Sequence, residues 1–197
     1  MPKYKITDNQ TRLLSDLSRV GCVSKKNIFT HTGVNAKGLS SLVNQGLIIK
    51  TEKINSNASN DIYYKFSSTG KAYAQKHIED VASKFYSAQS VNHDAKLQEY
   101  YYSLSQTEKQ TWRTEQECRD LLQEQINLMP YSYEKIELQD KLNNYEISPP
   151  DCYVQRDNGE IEVYEVITDS YGKQDIEKKI EFCNALNIDN LNMSSKN

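Results

Sequence analysis

The sequence has few of the residues on which several large classes of protein depend. Its 197 residues include four cysteines, three histidines and one tryptophan, and no apolar run approaches the roughly 18 residues of a membrane-spanning helix. The cysteines form no C-x-x-C pair and the histidines show no ligand spacing, which argues against a structural zinc site. Because no secretory signal peptide is recognisable, we expect a cytoplasmic protein with free thiols and no membrane contact.

Apolar residues are also scarce, at 37% of the chain with a mean hydropathy of −0.77. Leucine, isoleucine, valine and tyrosine nevertheless recur in periodic groups, which favours a folded chain over a disordered one. The length suits one large domain or two small ones.

The net charge of −3 taken alone argues against binding to nucleic acid. Its distribution reverses that conclusion, because residues 1–80 carry 12 Lys and Arg against 6 Asp and Glu, whereas residues 81–197 carry 12 against 21. A basic N-terminal half beside an acidic C-terminal half predicts that the first half meets phosphate. The alternative is two ordinary solvated surfaces of opposite sign.

Two helices are predicted before residue 33. The first follows Thr7 or Asp8 as its cap and ends at Gly21. Its apolar stripe has helical spacing and comprises Leu13, Leu14, Leu17 and Val20. A short second helix, capped by Ser24 and running from Lys25 to Thr30, is expected to bury Ile28 and Phe29 before the turn at 31–33.

A third helix is predicted from about Asn35 to Gln45, with Gly46 as its C-terminal stop. Its predicted inward side chains are Leu39, Leu42 and Val43. Two strands should follow, at 46–50 and 62–66, with a polar wing tip between them at 52–60. Another helix begins at the segment Tyr64-x-Phe66-x-x-Thr69-Gly70.

This segment resembles the winged helix-turn-helix of bacterial regulators and plasmid proteins, in which the helix-to-strand passage "GLI" and the exit "Y-x-F-S" followed by glycine recur. The resemblance implies that the third helix enters the major groove of duplex DNA. The residues expected at the DNA are Lys25, Lys26, Asn35, Lys37, Ser40, Ser41, Asn44, Lys50 and Lys53. A winged helix used for protein contact is the alternative.

The C-terminal half places ionisable residues on apolar faces. Asp94 lies on the stripe of a helix that begins near Asn92, and His93 is expected to be packed or on the surface. Glu117 forms a capping box with Thr114. Glu115 aligns with the inward face of the same helix, and there a charged group needs a partner or a metal.

Two further carboxylates flank a predicted β-hairpin. Asp151 follows the irregular stretch 128–148 and the two prolines after it, Pro149 and Pro150. Asp157-Asn158-Gly159 then forms a tight turn. In the returning strand 161–167, alternation places Glu165 on an apolar face, close to Asp151 across the hairpin. A helix from Lys173 to Leu186 should then present Ile176, Ile180 and Cys183 on one side.

The order of helix with Glu115, strand with Asp151, strand with Glu165 and helix resembles the core of PD-(D/E)XK nucleases. The resemblance implies that Glu115, Asp151 and Glu165 hold Mg²⁺, the cofactor such a site would need, and that a lysine two residues after Glu165 positions the water. Ile167 occupies that lysine position. The lysine's role would then fall to Lys173, Lys178 or Lys179, but a domain that has lost its chemistry is the simpler interpretation.

The longer pattern, with His-Asp, Trp-x-x-Glu, Pro-Asp and a strand ending in Glu, is similar to plasmid and conjugative-element replication-relaxation and mobilisation accessory proteins. The predicted fold class is therefore α+β, with a winged helix-turn-helix DNA-binding domain at residues 1–80 and a small α/β restriction-endonuclease-like domain at residues 91–197.

The resemblance implies a duplex-DNA-binding accessory protein of a mobile genetic element, which acts in replication or DNA transfer and has a non-catalytic nuclease-like domain. Its partners would be double-stranded DNA and a relaxase, replication protein or other mobile-element protein within a relaxosome or replication complex. The alternatives are a Mg²⁺-dependent endonuclease and a winged-helix transcription regulator, and a homodimer is compatible with each.

Overall fold

The computed structural model describes residues 4–53, 61–87, 89–169 and 171–195. Contacts divide the chain into two compact units, residues 1–103 and residues 104–197. The helix at 91–103, predicted from the sequence to lie in the second domain, therefore belongs to the first unit. No helix among the described residues is long and apolar enough to cross a membrane.

The first unit alternates helices with a small antiparallel sheet. Its helices are α1 (Asp8–Val20), α2 (Lys25–Asn27), α3 (Ala36–Asn44), α4 (Ser68–His77) and α5 (Val91–Ser103). Its strands are β1 (Cys22–Ser24), β2 (Ile48–Lys53) and β3 (Asp61–Phe66). They pair in the order β1-β3-β2. Three helices followed by a hairpin form the topology of a winged helix-turn-helix, as predicted; the predicted wing tip lies largely outside the described residues.

Capping and an apolar stripe explain why α1 forms where it does. Thr7 is its cap, and the side chain of Gln10 returns to accept from the Thr7 backbone N–H at 2.9 Å. The four residues of the predicted stripe are at most 1% exposed. Gly21 ends the helix with a φ of 75°.

Two predicted core positions in this unit are wrong. Phe29 is 40% exposed and Val43 is 37% exposed. The residues Ile28–Thr32 continue α2 as a π-helical turn, and this wider turn changes the direction in which Phe29 points. In α3 the inward stripe is narrow and consists of Leu39 and Leu42.

Helix α5 packs on the first unit through buried polar contacts, which explains the position of the boundary. The buried carboxylate of Asp16 in α1 accepts hydrogen bonds from the hydroxyls of Tyr101 at 2.8 Å and Tyr102 at 2.7 Å. The Gln98 Oε1 accepts from the Ser24 N–H at 3.1 Å. His93 and Asp94 are both buried, as the helical pattern allowed.

The second unit is built around a mixed sheet with helices packed against it. Its helices are α6 (Gln106–Gln110), α7 (Glu115–Leu128), α8 (Tyr133–Asn143) and α9 (Lys173–Ala185). Its strands are β4 (Arg113–Thr114), β5 (Cys152–Gln155), β6 (Ile161–Ile167) and β7 (Asn190–Ser195). Strands β4, β5 and β6 are antiparallel neighbours, and β7 runs parallel to β6.

Two elements of this unit differ from the prediction. The stretch 128–148, predicted to be irregular, contains α8, and β7 was not predicted at all. The core joins α7, α8, β6 and α9, and its most buried members are Cys118, Leu122, Ile126, Leu142, Ile147, Val163 and Phe182. On α9, Ile180 is 43% exposed, so the predicted inward position is wrong there, and Lys179 and Phe182 face inward instead.

The four cysteines are free and buried, and burial raises the pKa of Cys183 to about 11. The mixed α and β class predicted from the sequence is confirmed for both units.

Candidate functional site

Helix α3 is anchored at both ends, and its middle is held against α1. The side-chain oxygen of Asn35 caps the helix by accepting from the Gly38 N–H at 2.9 Å. The Gln10 side chain donates to the Gly38 carbonyl oxygen at 2.8 Å. Gly46 ends this segment with a φ of 69°. The cap and the contact with α1 therefore set the direction in which the outer face of the helix points.

The five predicted contact residues on this helix do not have equal roles. Lys37, Ser40 and Asn44 are exposed. Asn35 is also exposed, but its oxygen is engaged as the cap. Ser41 is half-buried, and its hydroxyl accepts from the Gln45 side chain at 3.0 Å. Lys37, Ser40 and Asn44 are therefore the side chains best placed to contact DNA.

The turn before α3 depends on a glycine. Gly33 has a φ of 73°, a conformation that favours glycine. Its carbonyl oxygen accepts from the Asn9 side chain at 2.8 Å. Thr32, which is fully buried, donates to the Ile28 carbonyl oxygen at 2.7 Å. These contacts fix the angle between the π-helical turn and α3.

Two lysines at the start of α2 extend the basic surface. Lys25 and Lys26 are both exposed beside Ser24, whose side chain caps the helix by accepting from the Asn27 N–H at 3.1 Å. The Lys25 ammonium lies 5.8 Å from the ring centroid of the exposed Phe29. An exposed aromatic ring therefore lies next to a positive charge on this surface.

The predicted wing residues add less positive charge to this surface. The Lys50 ammonium pairs with Glu52 at 2.6 Å, and this hydrogen bond raises the pKa of Lys50. Its charge is therefore partly neutralised within the same strand. The side chain of Lys53 lies outside the described residues. Residues 1–103 as a whole carry 14 Lys and Arg against 8 Asp and Glu, a net charge of +6.

The second unit brings two of the predicted carboxylates together. Glu165 Oε2 accepts from the backbone N–H of Asp151 at 2.8 Å, and Asp151 Oδ2 accepts from the backbone N–H of Val166 at 2.9 Å. Asp151 is 1% exposed and Glu165 is fully buried. The pairing of Cys152 with Tyr164 across the hairpin brings the two acids into this reciprocal contact.

Lys179 of α9 closes this site. Its ammonium lies 3.0 Å from Glu165 Oε1 and donates to the Pro149 carbonyl oxygen at 2.6 Å. The hydroxyl of Tyr171 donates to the same Glu165 oxygen. Lys173, the predicted candidate, instead has a 91% exposed side chain and pairs with Glu177 at 3.4 Å, so it takes no part in this site.

Burial, and after it the charge of Asp151, raises the pKa of Glu165, while Lys179 and Tyr171 act in the opposite direction. The pKa of Tyr171 is also raised, first by burial and then by Glu165, Asp151 and Glu115. Glu115 is half-buried at the start of α7.

The oxygens of the buried Glu165 carboxylate are engaged by protein donors. Among the residues that the structure describes, no group of three or more His, Cys, Asp or Glu side chains is arranged to hold an ion. Glu165 has one oxygen occupied by Lys179 and Tyr171 and the other by the Asp151 N–H. Because its ligand atoms are already engaged by donors, this cluster does not fit Mg²⁺.

The spacing along α9 does not by itself identify Lys179. Lys173 precedes Ile176 by three residues and Ile180 by seven, so it lies on the predicted apolar stripe. Lys179 precedes Phe182 and Cys183 by three and four residues and shares a face with them. The choice between the two lysines depends on which face of α9 packs inward, and in the structure that face carries Lys179, Phe182 and Cys183.

Comparison with known proteins gives little beyond this geometry. No family model and no curated protein matches the chain. Among solved structures, Bacillus subtilis PadR in complex with operator DNA is 19% identical over 69% of this chain and 74% of that chain, with a TM-score of 0.30. The assignment of a winged helix-turn-helix therefore rests on the chain's own topology.

Proposed function

We propose that the chain binds duplex DNA through the first unit, with α3 in the major groove. The observation that carries this proposal is the outer face of α3, where Lys37, Ser40 and Asn44 are exposed on a capped helix within a winged-helix topology. Asn and Ser side chains can read base edges, and Lys37 can reach phosphate or a base. The charge of +6 on residues 1–103 supports the same function.

For the second unit, we propose a nuclease-like domain that does not cut. The order of α7, the β5–β6 hairpin, α9 and the parallel strand β7 supports the nuclease resemblance. The contact with Glu165 brings one of the three candidate substitute lysines, Lys179, to the acids, and we interpret it as a structural ion pair because both side chains are buried. Half-buried Ile167 in the lysine position agrees with this interpretation.

The biological role follows from the kind of DNA site that is bound. We favour an accessory role in replication or transfer of a mobile element, with transcription regulation as the alternative. Selection of bound sequences from random duplex DNA separates the two. An origin-like site or direct repeats would support the accessory role, whereas a paired inverted repeat would support a regulator that acts as a dimer.

Lys37→Ala is expected to weaken DNA binding by about 1 kcal/mol, or roughly fivefold, because one contact to phosphate or base is lost. Fluorescence anisotropy with a selected duplex at several salt concentrations measures this effect. If the contact is to phosphate, the slope of log affinity against log salt should become shallower by about 1.

Lys76→Ala is the matched control, since Lys76 is an exposed lysine of the same unit on α4. It should leave the affinity within about twofold. Equal losses in both variants would mean that the unit attracts DNA by diffuse charge and that α3 has no special role.

Purified protein is expected to leave supercoiled plasmid intact in Mg²⁺ or Mn²⁺, because the Glu165 carboxylate is already bound by Lys179 and Tyr171. Agarose electrophoresis over time measures this, with Asp151→Asn and Glu165→Gln as the paired variants. Nicking by the wild type that both variants abolish, while both remain folded by circular dichroism, would replace this proposal with a metal-dependent endonuclease.

A further inference from the structure

The second unit contains an open groove between α7, α8 and α9, with a volume of about 520 Å³. Its apolar lining residues are Leu122, Ile126, Met129, Leu138 and Ala185, and the other seven lining residues are polar or charged. Leu122 and Ile126 are also members of the buried core. The apolar part of the lining is therefore continuous with the packed interior.

The rim of this groove is acidic. Glu134 and Glu137 of α8 and Glu181 of α9 line it. Its one lysine, Lys141, is shared between Glu137 at 3.0 Å and Glu181 at 3.7 Å. Residues 104–197 carry 10 Lys and Arg against 19 Asp and Glu, a net charge of −9. The local rim and the whole unit therefore favour a positively charged partner.

Large apolar side chains project into solvent next to the groove. Leu128 is 73% exposed, Tyr131 is 88% exposed and Tyr133 is 81% exposed. They lie at the end of α7 and the start of α8, adjacent in sequence to Met129 and Glu134, which line the groove. Tyrosine is enriched at protein interfaces and at the residues that carry most of the binding energy there.

We propose that this groove is a docking site for a basic amphipathic helix of a partner protein. Apolar side chains at helical spacing would enter the groove, and Lys or Arg side chains beside them would meet Glu134, Glu137 and Glu181. The acidic rim would repel nucleic acid and acidic peptides. The proposal is independent of DNA binding by the first unit, so either can fail without the other.

Methionine methyl groups allow a direct test with the full chain. The sequence has three methionines, Met1, Met129 and Met193, and Met129 lines the groove. The probe is a synthetic helix with leucine at positions i, i+3, i+4 and i+7 and flanking lysines. In protein labelled with ¹³C at the methionine methyl groups, we expect this peptide to shift the Met129 signal and to leave that of Met193 unchanged.

Matched variants identify the surface. Tyr133→Ser and Glu134→Lys should each weaken peptide binding, roughly tenfold for Tyr133→Ser as a hot-spot aromatic. Tyr145→Ser and Glu160→Lys should not, since both residues are exposed in the same unit and neither they nor their neighbours in sequence line the groove, whereas Tyr133 directly precedes the lining residue Glu134. A peptide with glutamate in place of lysine should bind at least tenfold more weakly, because it meets the acidic rim with like charge.

Three results would overturn the proposal. One is an unchanged Met129 signal at saturating peptide, and another is equal binding of the lysine and glutamate peptides. The third is a Met129 shift that depends on protein concentration without peptide, which would mark the groove as a contact between two copies of the chain.

Discussion

Lys179→Met is expected to lower the free energy of unfolding of the second unit by about 3–5 kcal/mol, because it leaves the buried Glu165 carboxylate without its cation. The single tryptophan, Trp112, lies in this unit and is 5% exposed, so its fluorescence follows the transition in urea. Lys173→Met is the matched control. Its exposed pair with Glu177 should contribute less than about 1 kcal/mol.

The way in which this loss of stability changes with pH distinguishes an ion pair from a packing contribution of Lys179. The folded pKa of Glu165 is raised above the ordinary value of 4.5. Its protonated form is therefore favoured by folding, and the associated stability is lost as pH rises through the folded pKa. Since Lys179 lowers this pKa, Lys179→Met should raise it further.

The deficit of Lys179→Met should consequently be smallest in acid and should grow as pH rises from about 4.5 towards neutrality. Adding Glu165→Gln should recover much of the loss, since it removes the uncompensated charge. A deficit that is independent of pH and unaffected by Glu165→Gln would mean that Lys179 contributes only through packing.

Gly70→Ala is expected to destabilise the first unit by about 3 kcal/mol or more. A Cβ atom at this position would lie 1.7 Å from the carbonyl oxygen of Leu47, which is backbone and cannot rotate away. Helix α4 would have to move away from Leu47, the residue before β2. Urea denaturation followed by far-ultraviolet circular dichroism measures this loss of stability. At a temperature at which the variant is unfolded and the wild type is folded, the variant should also bind DNA more weakly than the wild type.

Gly46→Ala is the matched control for this prediction. Its φ is +69°, but a Cβ there would meet no atom within 4 Å. It should cost about 1–2 kcal/mol through backbone strain alone. A smaller loss for Gly70→Ala than for Gly46→Ala would show that α4 and the Leu47 backbone can separate without cost, and that their close contact is not a constraint on the fold.

Strong local signals made the first unit predictable. The caps of α1 and α3 and the stripe from Leu13 to Val20 depend on residues close in sequence, so the spacing alone was sufficient. Phe29 was predicted to be inward because a regular α-helix was assumed. The π-helical turn at 28–32 has more residues per turn than an α-helix, and its amino-acid composition does not indicate this change.

Weak amphipathicity explains the elements that were missed in the second unit. Helix α8 has one fully buried residue, Leu142, among charged and polar neighbours. Strand β7 is rich in asparagine and serine, which disfavour strands, and it forms because it pairs in parallel with β6. Pairing between residues some 30 positions apart cannot be read from local sequence.

The carboxylate site was predictable in part. The strand alternation correctly indicated that Glu165 is buried, and the hairpin placed Asp151 near it. The choice among lysines depended on which face of α9 packs inward, and that face is set by Phe182 and the sheet beneath it. Long-range packing therefore determined that Lys179 reaches Glu165.

Recognition of DNA by α3 is tested by two sequence selections from random duplex DNA, one with the wild-type chain and one with Asn44→Ala. If α3 reads bases in the major groove, the two selections should yield the same site except for relaxed preference at one or two adjacent base pairs. Identical preferences in both, or no enriched sequence with the wild type, would contradict the assignment of α3 as the element that recognises DNA.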